Sequence, residues 1–147
     1  MFVRAMDSRD IDAILAIQIA SPEAAQWIAS DYDVANRPAT CVWIAEQSSQ
    51  TVGFIVLRHV LDEVEILNIA VHHHSRRQGV AAELLRVALQ WAAERGAKTA
   101  YLEVRPSNTA AIRFYERHSF RASGRRTRYY SSPAEDAVIL VSELRKI

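Results

Sequence analysis

The feature that most constrains this chain is a short basic segment with one glycine, placed between a predicted strand and a predicted helix. Residues 76–81 read Arg-Arg-Gln-Gly-Val-Ala and follow an apolar β pattern that ends at Val71. Apolar residues then recur at helical spacing, which predicts a helix that begins near Gly79. The first N–H groups of a helix lack intrahelical partners, and the helix dipole is positive there. Because Gly79 carries no side chain and two arginines add charge, the segment predicts a site for a pyrophosphate.

The length and composition are those of one folded domain. The chain has 147 residues, of which 50% are hydrophobic and 24% charged, and its formal net charge is +1. That charge gives no general support for nucleic-acid binding. We see no apolar run long enough to span a membrane and no signal-peptide core, so we expect a cytoplasmic protein. Cys41 is the single cysteine, and its apolar flanks predict a buried strand thiol rather than a nucleophile.

Hydrophobic periodicity predicts an α+β domain over residues 1–147, with α/β/α layers. Strands are predicted over 1–6, 41–46, 52–60, 64–71, 98–104, 120–130 and 137–144. Helices are predicted after a cap at Asp7 or Ser8, over 21–32, from Gly79 to Gly96 and over 110–118. A helix joins strands 64–71 and 98–104, so these two are predicted to run parallel in a mixed, mostly antiparallel sheet.

The strand 64–71 is predicted to be buried on both faces, because most residues at its end are apolar. Simple alternation puts Glu65, Leu67, Ile69 and Val71 on one face and Ile66, Asn68 and Ala70 on the other.

The helix after Pro106 predicts one wall of an extended groove. Asn108, Ile112 and Tyr115 are spaced i, i+4, i+7 and share one helix face. If the two parallel strands splay at their C-terminal ends, free backbone groups of Ile69 and Val71 can bind an elongated ligand that contains amides. A pyrophosphate at one end and amides along an arm describe coenzyme A.

Four segments, in order and spacing, resemble the GCN5-related N-acetyltransferase (GNAT) superfamily, and within it the ribosomal-protein alanine N-acetyltransferase family. They are 62–71 (DEVEILNIAV), 76–81 (RxxGxA), 102–116 (LEVRxSNxxAxxxYE) and 125–130 (RRxxYY). The resemblance implies one GNAT-like domain with a splayed parallel strand pair and acetyl-CoA as co-substrate. It implies Glu103 as general base and Tyr115 as general acid. The implied acetyl-CoA contacts are Ile69, Ala70, Val71, Arg76, Arg77, Gln78, Gly79, Val80, Ala81, Ala82 and Asn108.

The chemistry of amine acetylation explains why such a site uses a carboxylate and a phenol. An amine is an ammonium at neutral pH and has no lone pair until a base such as Glu103 removes a proton. A tyrosine can protonate the leaving thiolate without bringing charge into the site. No serine or cysteine lies beside a base, so we expect direct transfer in a ternary complex. An N-terminal amine, with a pKa about 2.5 units below that of lysine, is the easier acceptor.

Several features leave the acceptor and the cofactor affinity open. Asp62, Glu63 and Glu65 could attract a basic segment of a ribosomal protein, and a lysine side chain or a small amine remains an alternative acceptor. Ala81 and Ala82 stand where the family often has glycine and a basic residue, and Ser119 stands where it has glycine.

Two other classes of function are alternatives to the enzyme. A non-catalytic acyl-CoA-binding module would keep the cofactor contacts and would not need Glu103 or Tyr115. An RNA-binding module would use the arginines of the last third of the chain, although scattered arginines are more often a solvated face. For His72, His73 and His74, proximity to phosphate is favoured over a metal site, so no metal is predicted. We expect a monomer that binds a protein substrate and neither nucleic acid nor membrane.

Overall fold

The computed structural model describes residues 1–34, 37–131 and 134–144. All strands in these ranges form one seven-stranded sheet with the order β1-β2-β3-β4-β5-β7-β6. The strands are β1 (Phe2–Ala5), β2 (Thr40–Gln47), β3 (Gln50–Val60), β4 (Glu63–Val71), β5 (Thr99–Val104), β6 (Arg121–Ser131) and β7 (Ala134–Glu143). The α-helices are α1 (Ile11–Ile19), α2 (Val80–Glu94) and α3 (Thr109–Arg117), and short 3₁₀ turns cover Ser8–Asp10, Ala29–Tyr32 and His73–Ser75.

Helices cover both faces of the sheet, which confirms the predicted α+β fold with α/β/α layers. On one face, Leu84 and Ala88 of α2 pack with Tyr115 of α3. On the other face, Ile14 of α1 packs with Tyr32 and neighbouring apolar residues of the central strands. We call these the α2 side and the α1 side of the sheet.

Gly53 of β3 allows α2 to lie close to the sheet. A Cβ added at this position would be 3.1 Å from Val80 Cγ1 and 3.2 Å from both the Ala70 carbonyl oxygen and Leu84 Cδ1. Such distances leave no room for a methyl group without movement of the helix or strand. The close approach fixes the first turns of α2 against β3 and β4.

One strand pair in the sheet is parallel, and it separates early. β4 and β5 pair in register only at Glu63 with Thr99, Val64 with Ala100 and Glu65 with Tyr101. β4 then continues for six more residues with only β3 beside it, and β5 continues with only β7. The predicted parallel pair and its splay are therefore confirmed.

A β-bulge in β4 corrects the predicted alternation of that strand. The register with β3 passes from Asn68 opposite Val56 to Ile66 opposite Leu57, so Leu67 is an extra residue. Ile66, Ile69 and Val71 consequently all lie in the core on the α2 side, and Leu67 lies with Ala70 on the α1 side. Simple alternation had placed Ile66 with Ala70, and the bulge reverses that assignment.

The helix predicted over 21–32 is wrong. Turns occupy this segment, and only Ala29–Tyr32 forms a 3₁₀ turn. Side chains from other elements take the backbone groups that a helix would have paired. The Asn68 amide accepts a hydrogen bond from the Ala25 N–H at 3.1 Å and donates one to the Ala25 carbonyl at 2.9 Å. Gln18 of α1 donates to the Trp27 carbonyl at 2.7 Å. These bonds satisfy the backbone without a helical ladder.

The other predicted elements are confirmed, with shifts of a few residues at their ends. Asp7 caps the first helical turn, and its side chain accepts from the Arg9 N–H. Ser48 and Ser49 form the tight turn between β2 and β3 with φ values of 50° and 63°. Parts of the segments between these elements, residues 35–36 and 132–133, lie outside the described residues.

Candidate active site at the splayed strand pair

Backbone groups of β4 that do not pair with β3 line one wall of the gap between β4 and β5. The His72 N–H donates to the Val52 carbonyl of β3 at 2.7 Å, and Ala70 lies opposite Phe54 of the same strand. Backbone groups alternate along a strand, so those of Ile69 and Val71 point away from β3 and into the gap. An extended ligand with amide groups could pair with these residues as an added strand does.

The mouth of this gap is the N-terminus of α2, as the sequence predicts. Gly79 is the N-cap residue, with φ +80°, and no atom lies within 4 Å of the position that its Cβ would take. The Val80 side chain is buried in the core, so its backbone faces the mouth, and Ala81 and Ala82 are half-buried. The Gln78 amide donates to the His74 carbonyl at 3.2 Å and holds the preceding turn. The first amides of α2 therefore meet open space beside a positive dipole, which fits a diphosphate.

The two arginines before this mouth have different surroundings. The Arg76 guanidinium donates to the Val71 carbonyl and to Ser21 Oγ, each at 3.3 Å. It therefore ties the turn to the end of β4 and to the segment after α1. Arg77 is exposed and has φ +63°. The sequence does not reveal this difference, because Ser21 is 55 residues from Arg76.

Glu103 lies on β5 with its carboxylate on the α1 side of the sheet, while Leu102 and Val104 belong to the core on the α2 side. Its side chain is 9% exposed, and Oε1 is 3.2 Å from Arg126 Nε of β6. Oε2 is buried and has no hydrogen-bond partner among the described residues. The Tyr129 phenol lies beside the same carboxylate, and this interaction, together with burial, raises the pKa of Tyr129.

Tyr115 lies on the α2 side, in the second turn of α3. It is 4% exposed, and its ring is 5.1 Å from that of Phe114 and 5.3 Å from that of Phe120. Burial raises the pKa of the phenol far above its usual value of 10.0, so the group keeps its proton over the physiological range. Glu103 and Tyr115 therefore flank the strand gap from opposite sides of the sheet.

Asn108 begins α3. Its side chain accepts from the Ala111 N–H at 3.2 Å, which is an N-cap bond. The cap fixes the direction in which α3 leaves β5 and, with it, the position of Tyr115 two turns later.

Two cavities border the strand pair and α2. One has a volume of about 370 Å³ and extends from Gly79 along α2 to His118 after α3. The other has a volume of about 420 Å³ at the turn between β3 and β4, where Asp62 and Glu63 line it with Tyr101. Glu65 also lines this second cavity, but it already pairs with Arg58 at 2.5 Å and accepts from the Tyr101 hydroxyl at 3.3 Å.

The three histidines before the mouth pack against one another. Their ring centroids are 4.0 to 5.2 Å apart, and His72 Nδ1 accepts from the His74 N–H at 3.2 Å. The charge of His74 is the main cause that lowers the pKa of His73. Within residues 1–34, 37–131 and 134–144, no group of three or more His, Cys, Asp or Glu side chains is arranged to hold a metal ion. In the same ranges, no helix is both long and apolar enough to cross a membrane.

Sequence reasoning gave Arg126 no individual role and assigned Ser21 only as the cap of the helix that was wrongly predicted over 21–32. The RRxxYY segment contains Arg126, but the sequence does not indicate which carboxylate its guanidinium meets. Arg126 lies opposite Ala137 of β7, which separates β6 from β5, so the Arg126 side chain reaches Glu103 across β7.

Comparison with known proteins identifies the fold and the chemistry. The model of the Acetyltransferase (GNAT) family matches residues 11–120. A Bacillus subtilis (strain 168) protein, provisionally named [ribosomal protein bS18]-alanine N-acetyltransferase, is 30% identical over 140 residues, which are 94% of this chain and 92% of that protein. The Escherichia coli (strain K12) [ribosomal protein bS18]-alanine N-acetyltransferase is 38% identical over 96 residues, 64% of this chain and 65% of that protein.

A solved structure agrees with these sequence relatives. The crystal structure of the ribosomal-protein-S18-alanine N-acetyltransferase from Escherichia coli has a TM-score of 0.85 to this chain at 28% identity. The match covers 99% of this chain and 95% of that one. The helix mouth, the splayed strands and the facing carboxylate and phenol thus occur in a fold shared over almost the whole chain. The chain belongs to the GNAT family and is an acetyl-CoA-dependent N-acetyltransferase.

Proposed function

We propose that this enzyme acetylates the N-terminal amine of a protein, and that its acceptor is the N-terminal alanine of a small-subunit ribosomal protein. Support comes from the Escherichia coli and Bacillus subtilis relatives, which are named for this acceptor. They are 38% and 30% identical to this chain over the matched residues. A ribosomal acceptor places the reaction in the cytoplasm. We further propose that the enzyme acts as a monomer and makes no direct contact with nucleic acid.

The residues around the mouth and the strand gap fit acetyl-CoA. In the proposal, Ile69, Ala70 and Val71 hold the pantetheine arm, and Asn108 lies near it at the start of α3. The diphosphate is held by Arg76, Arg77, Gln78, Gly79, Val80, Ala81 and Ala82, for the most part through backbone N–H groups. Bound acetyl-CoA supplies the thioester carbonyl that an amine attacks.

The buried Oε2 of Glu103 is the observation that carries the proposal. A buried carboxylate oxygen without a partner costs about 1–3 kcal/mol, and an N–H of the acceptor amine would recover that cost. At Oε2, directly or through one water molecule, Glu103 would then take the proton that the amine nitrogen loses as it becomes an amide. The free lone pair of the amine can attack the carbonyl from the α1 side of the gap.

Tyr115 completes the reaction from the α2 side. Its phenol is protonated because burial raises its pKa, so it can donate to the departing sulfur. The thiolate would otherwise leave as a charged group in a poorly hydrated site. Direct transfer of this kind needs no acetylated side chain of the enzyme.

The energetics favour an α-amine. Its unperturbed pKa is about 2.5 units below that of lysine, so deprotonation at neutral pH costs about 3.5 kcal/mol less. We propose that Asp62 and Glu63 attract basic residues that follow the acceptor terminus. Glu65 contributes less to this attraction, because Arg58 already neutralises it.

A panel of acceptors tests the proposal. The purified chain is incubated with acetyl-CoA and one of three acceptors: a basic peptide that begins with alanine, its N-terminally blocked form with one lysine, and a polyamine. We expect kcat/KM to be highest for the free alanine terminus. Preferred acetylation of the blocked peptide or of the polyamine would contradict the proposed acceptor, and no transfer to any amine would contradict the proposed reaction.

A further inference from the structure

The proposed base Glu103 lies next to a permanent positive charge, the guanidinium of Arg126. Arg126 Nε lies 3.2 Å from Glu103 Oε1, while the second carboxylate oxygen is buried and has no hydrogen-bond partner among the described residues. The Arg126 side chain is 57% exposed and also lies over the Tyr129 ring, with its guanidinium carbon 5.4 Å from the ring centroid. Glu103 therefore has one unpartnered oxygen within an ion pair that is already neutral.

The other carboxylates near this oxygen also form ion pairs with arginines. Glu65 pairs with Arg58, and Glu135 pairs with Arg105 at 3.0 Å. The phenols of Tyr101, Tyr129 and Tyr130 also lie near Glu103. Burial is the main cause that raises the pKa of Tyr101 and Tyr130, and the hydrogen bond to Glu103 is the main cause that raises the pKa of Tyr129, so all three stay neutral. On this part of the α1 side, each carboxylate of the described residues that an arriving ammonium meets already pairs with a guanidinium.

We propose that Arg126 makes this site select N-terminal amines over lysine side chains, because it cancels the charge that would otherwise bind and deprotonate an ammonium. The inference rests on the proposed function and names the residue that sets its acceptor class. A neutral ion pair attracts an ammonium only weakly, so the acceptor amine must already be neutral when it binds. At pH 7.5 about one third of α-amines are neutral, compared with about one in a thousand lysine amines.

The bonds and protons of the transfer balance both with and without Arg126. In each, the new bond joins the amine nitrogen to the acetyl carbon, the carbon–sulfur bond breaks, and Tyr115 protonates the sulfur. With Arg126 present, the amine loses its first proton to solvent before it binds, and its second proton goes to Glu103 Oε2 as the amide forms. Without Arg126, a lysine ammonium binds to the charged carboxylate and transfers its first proton to Oε2, and its second proton restores the Tyr115 phenol as the amide forms.

The experiment measures where one peptide is acetylated. The peptide begins with a free alanine and contains one internal lysine, and mass spectrometry gives the ratio of kcat/KM for the two amines. We expect Arg126→Gln to lower the ratio of N-terminal to lysine acetylation by about tenfold or more, since the lysine route becomes open. Arg126→Lys keeps the charge and is expected to keep the ratio.

Arg125→Gln is the matched control. Arg125 lies on the same strand, is similarly exposed at 61%, and pairs with Asp136 rather than with Glu103. A merely structural role of Arg126 would lower both rates together and leave their ratio unchanged. The pH dependence adds a second readout. In the wild type, kcat/KM rises up to the pKa of the acceptor amine, and in Arg126→Gln this rise begins at lower pH.

The outcomes separate the inference from the proposed function. A wild-type chain that does not acetylate the alanine terminus contradicts the proposed function. A wild type that does so, together with an Arg126→Gln ratio within about twofold of it, overturns the inference alone. The inference is also overturned if Arg126→Lys loses selectivity to the same extent as Arg126→Gln. Should Arg126→Gln fold poorly, Arg126→Met keeps an unbranched side chain over Tyr129 and gives the same test without the charge.

Discussion

The Phe120 N–H donates to the Tyr115 carbonyl at 3.0 Å, and the two aromatic rings lie 5.3 Å apart. The Ser119 N–H donates in turn to the Glu116 carbonyl at 3.3 Å. Together these bonds form a Schellman motif, with Ser119 at the position that usually holds glycine. The end of α3 that carries the proposed acid is therefore fixed by a turn with φ +71° at Ser119.

Ser119→Gly is expected to stabilise the protein. A left-handed residue with a Cβ costs about 1–2 kcal/mol, from which the larger unfolded-state entropy of glycine subtracts about 0.5–1 kcal/mol. We expect a net gain of about 0.5–1 kcal/mol and a rise in melting temperature of about 1–4 °C, measured by calorimetry. Ser30, an exposed serine in the 3₁₀ turn Ala29–Tyr32, is the control. Ser30→Gly should not stabilise the protein, and an equal gain in both variants would contradict the argument.

Glu103→Gln is expected to lower kcat/KM for the alanine peptide by about 10²–10⁴-fold, because the amide cannot accept a proton. The affinity for acetyl-CoA should be almost unchanged, since Glu103 faces the α1 side and not the helix mouth. The defect should persist as the pH approaches the pKa of the acceptor amine, because even a neutral amine must lose a proton as the amide forms. Glu143→Gln, an exposed glutamate on β7, is the control. A non-catalytic acyl-CoA-binding module would show no difference between the two variants.

Tyr115→Phe is expected to lower kcat by about 100-fold with little change in acetyl-CoA affinity, because only the proton donor is lost. The raised pKa of Tyr115 also predicts how the wild-type kcat depends on pH at alkaline pH. A group whose pKa is raised stays protonated beyond its usual 10.0, so kcat should not fall between pH 8 and 10. A wild-type kcat that falls with a midpoint below pH 10 and is flat in Tyr115→Phe would contradict the role of burial.

Arg76 and Arg77 should respond differently to alanine substitution. Arg76→Ala removes two hydrogen bonds to Val71 and Ser21, which predicts a loss of unfolding free energy of about 1–2 kcal/mol. Arg77→Ala should leave stability within about 0.5 kcal/mol, because its side chain is exposed. It should raise the Kd for acetyl-CoA about tenfold at low salt and less at high salt. Equal melting temperatures for the two variants would show that the Arg76 bonds do not stabilise the turn.

The parts of this site that the sequence could predict are those coded by neighbouring residues. The helix that begins at Gly79 and the cap at Asn108 each depend on a few consecutive side chains. The crossover connection predicts that β4 and β5 run parallel, and the family resemblance implies that they separate. Such features are determined by residues that lie close together in the sequence, or by a family pattern that the sequence shows.

The features that the sequence could not predict depend on partners far along the chain. Residues 21–32 have a helical start signal, yet Asn68 and Gln18 take their backbone bonds. The bulge at Leu67 is set by the register of β3 against β4. The contact between Glu103 and Arg126 requires β7 to lie between β5 and β6. In each case, tertiary packing rather than local preference determines the outcome.

Cys41 gives a test of direct transfer. Burial is the main cause that raises the pKa of its thiol from 9.0 to about 11, so at pH 8 its thiolate fraction is about 100-fold below that of a free cysteine. We expect Ellman's reagent to react with the native protein slower by at least about that factor than with the protein in guanidinium chloride. Because the acetyl group passes straight to the amine, Cys41→Ala should keep the wild-type kcat. Fast labelling of the native thiol, protection of it by acetyl-CoA and loss of activity in Cys41→Ala would together indicate an acetyl-cysteine intermediate instead.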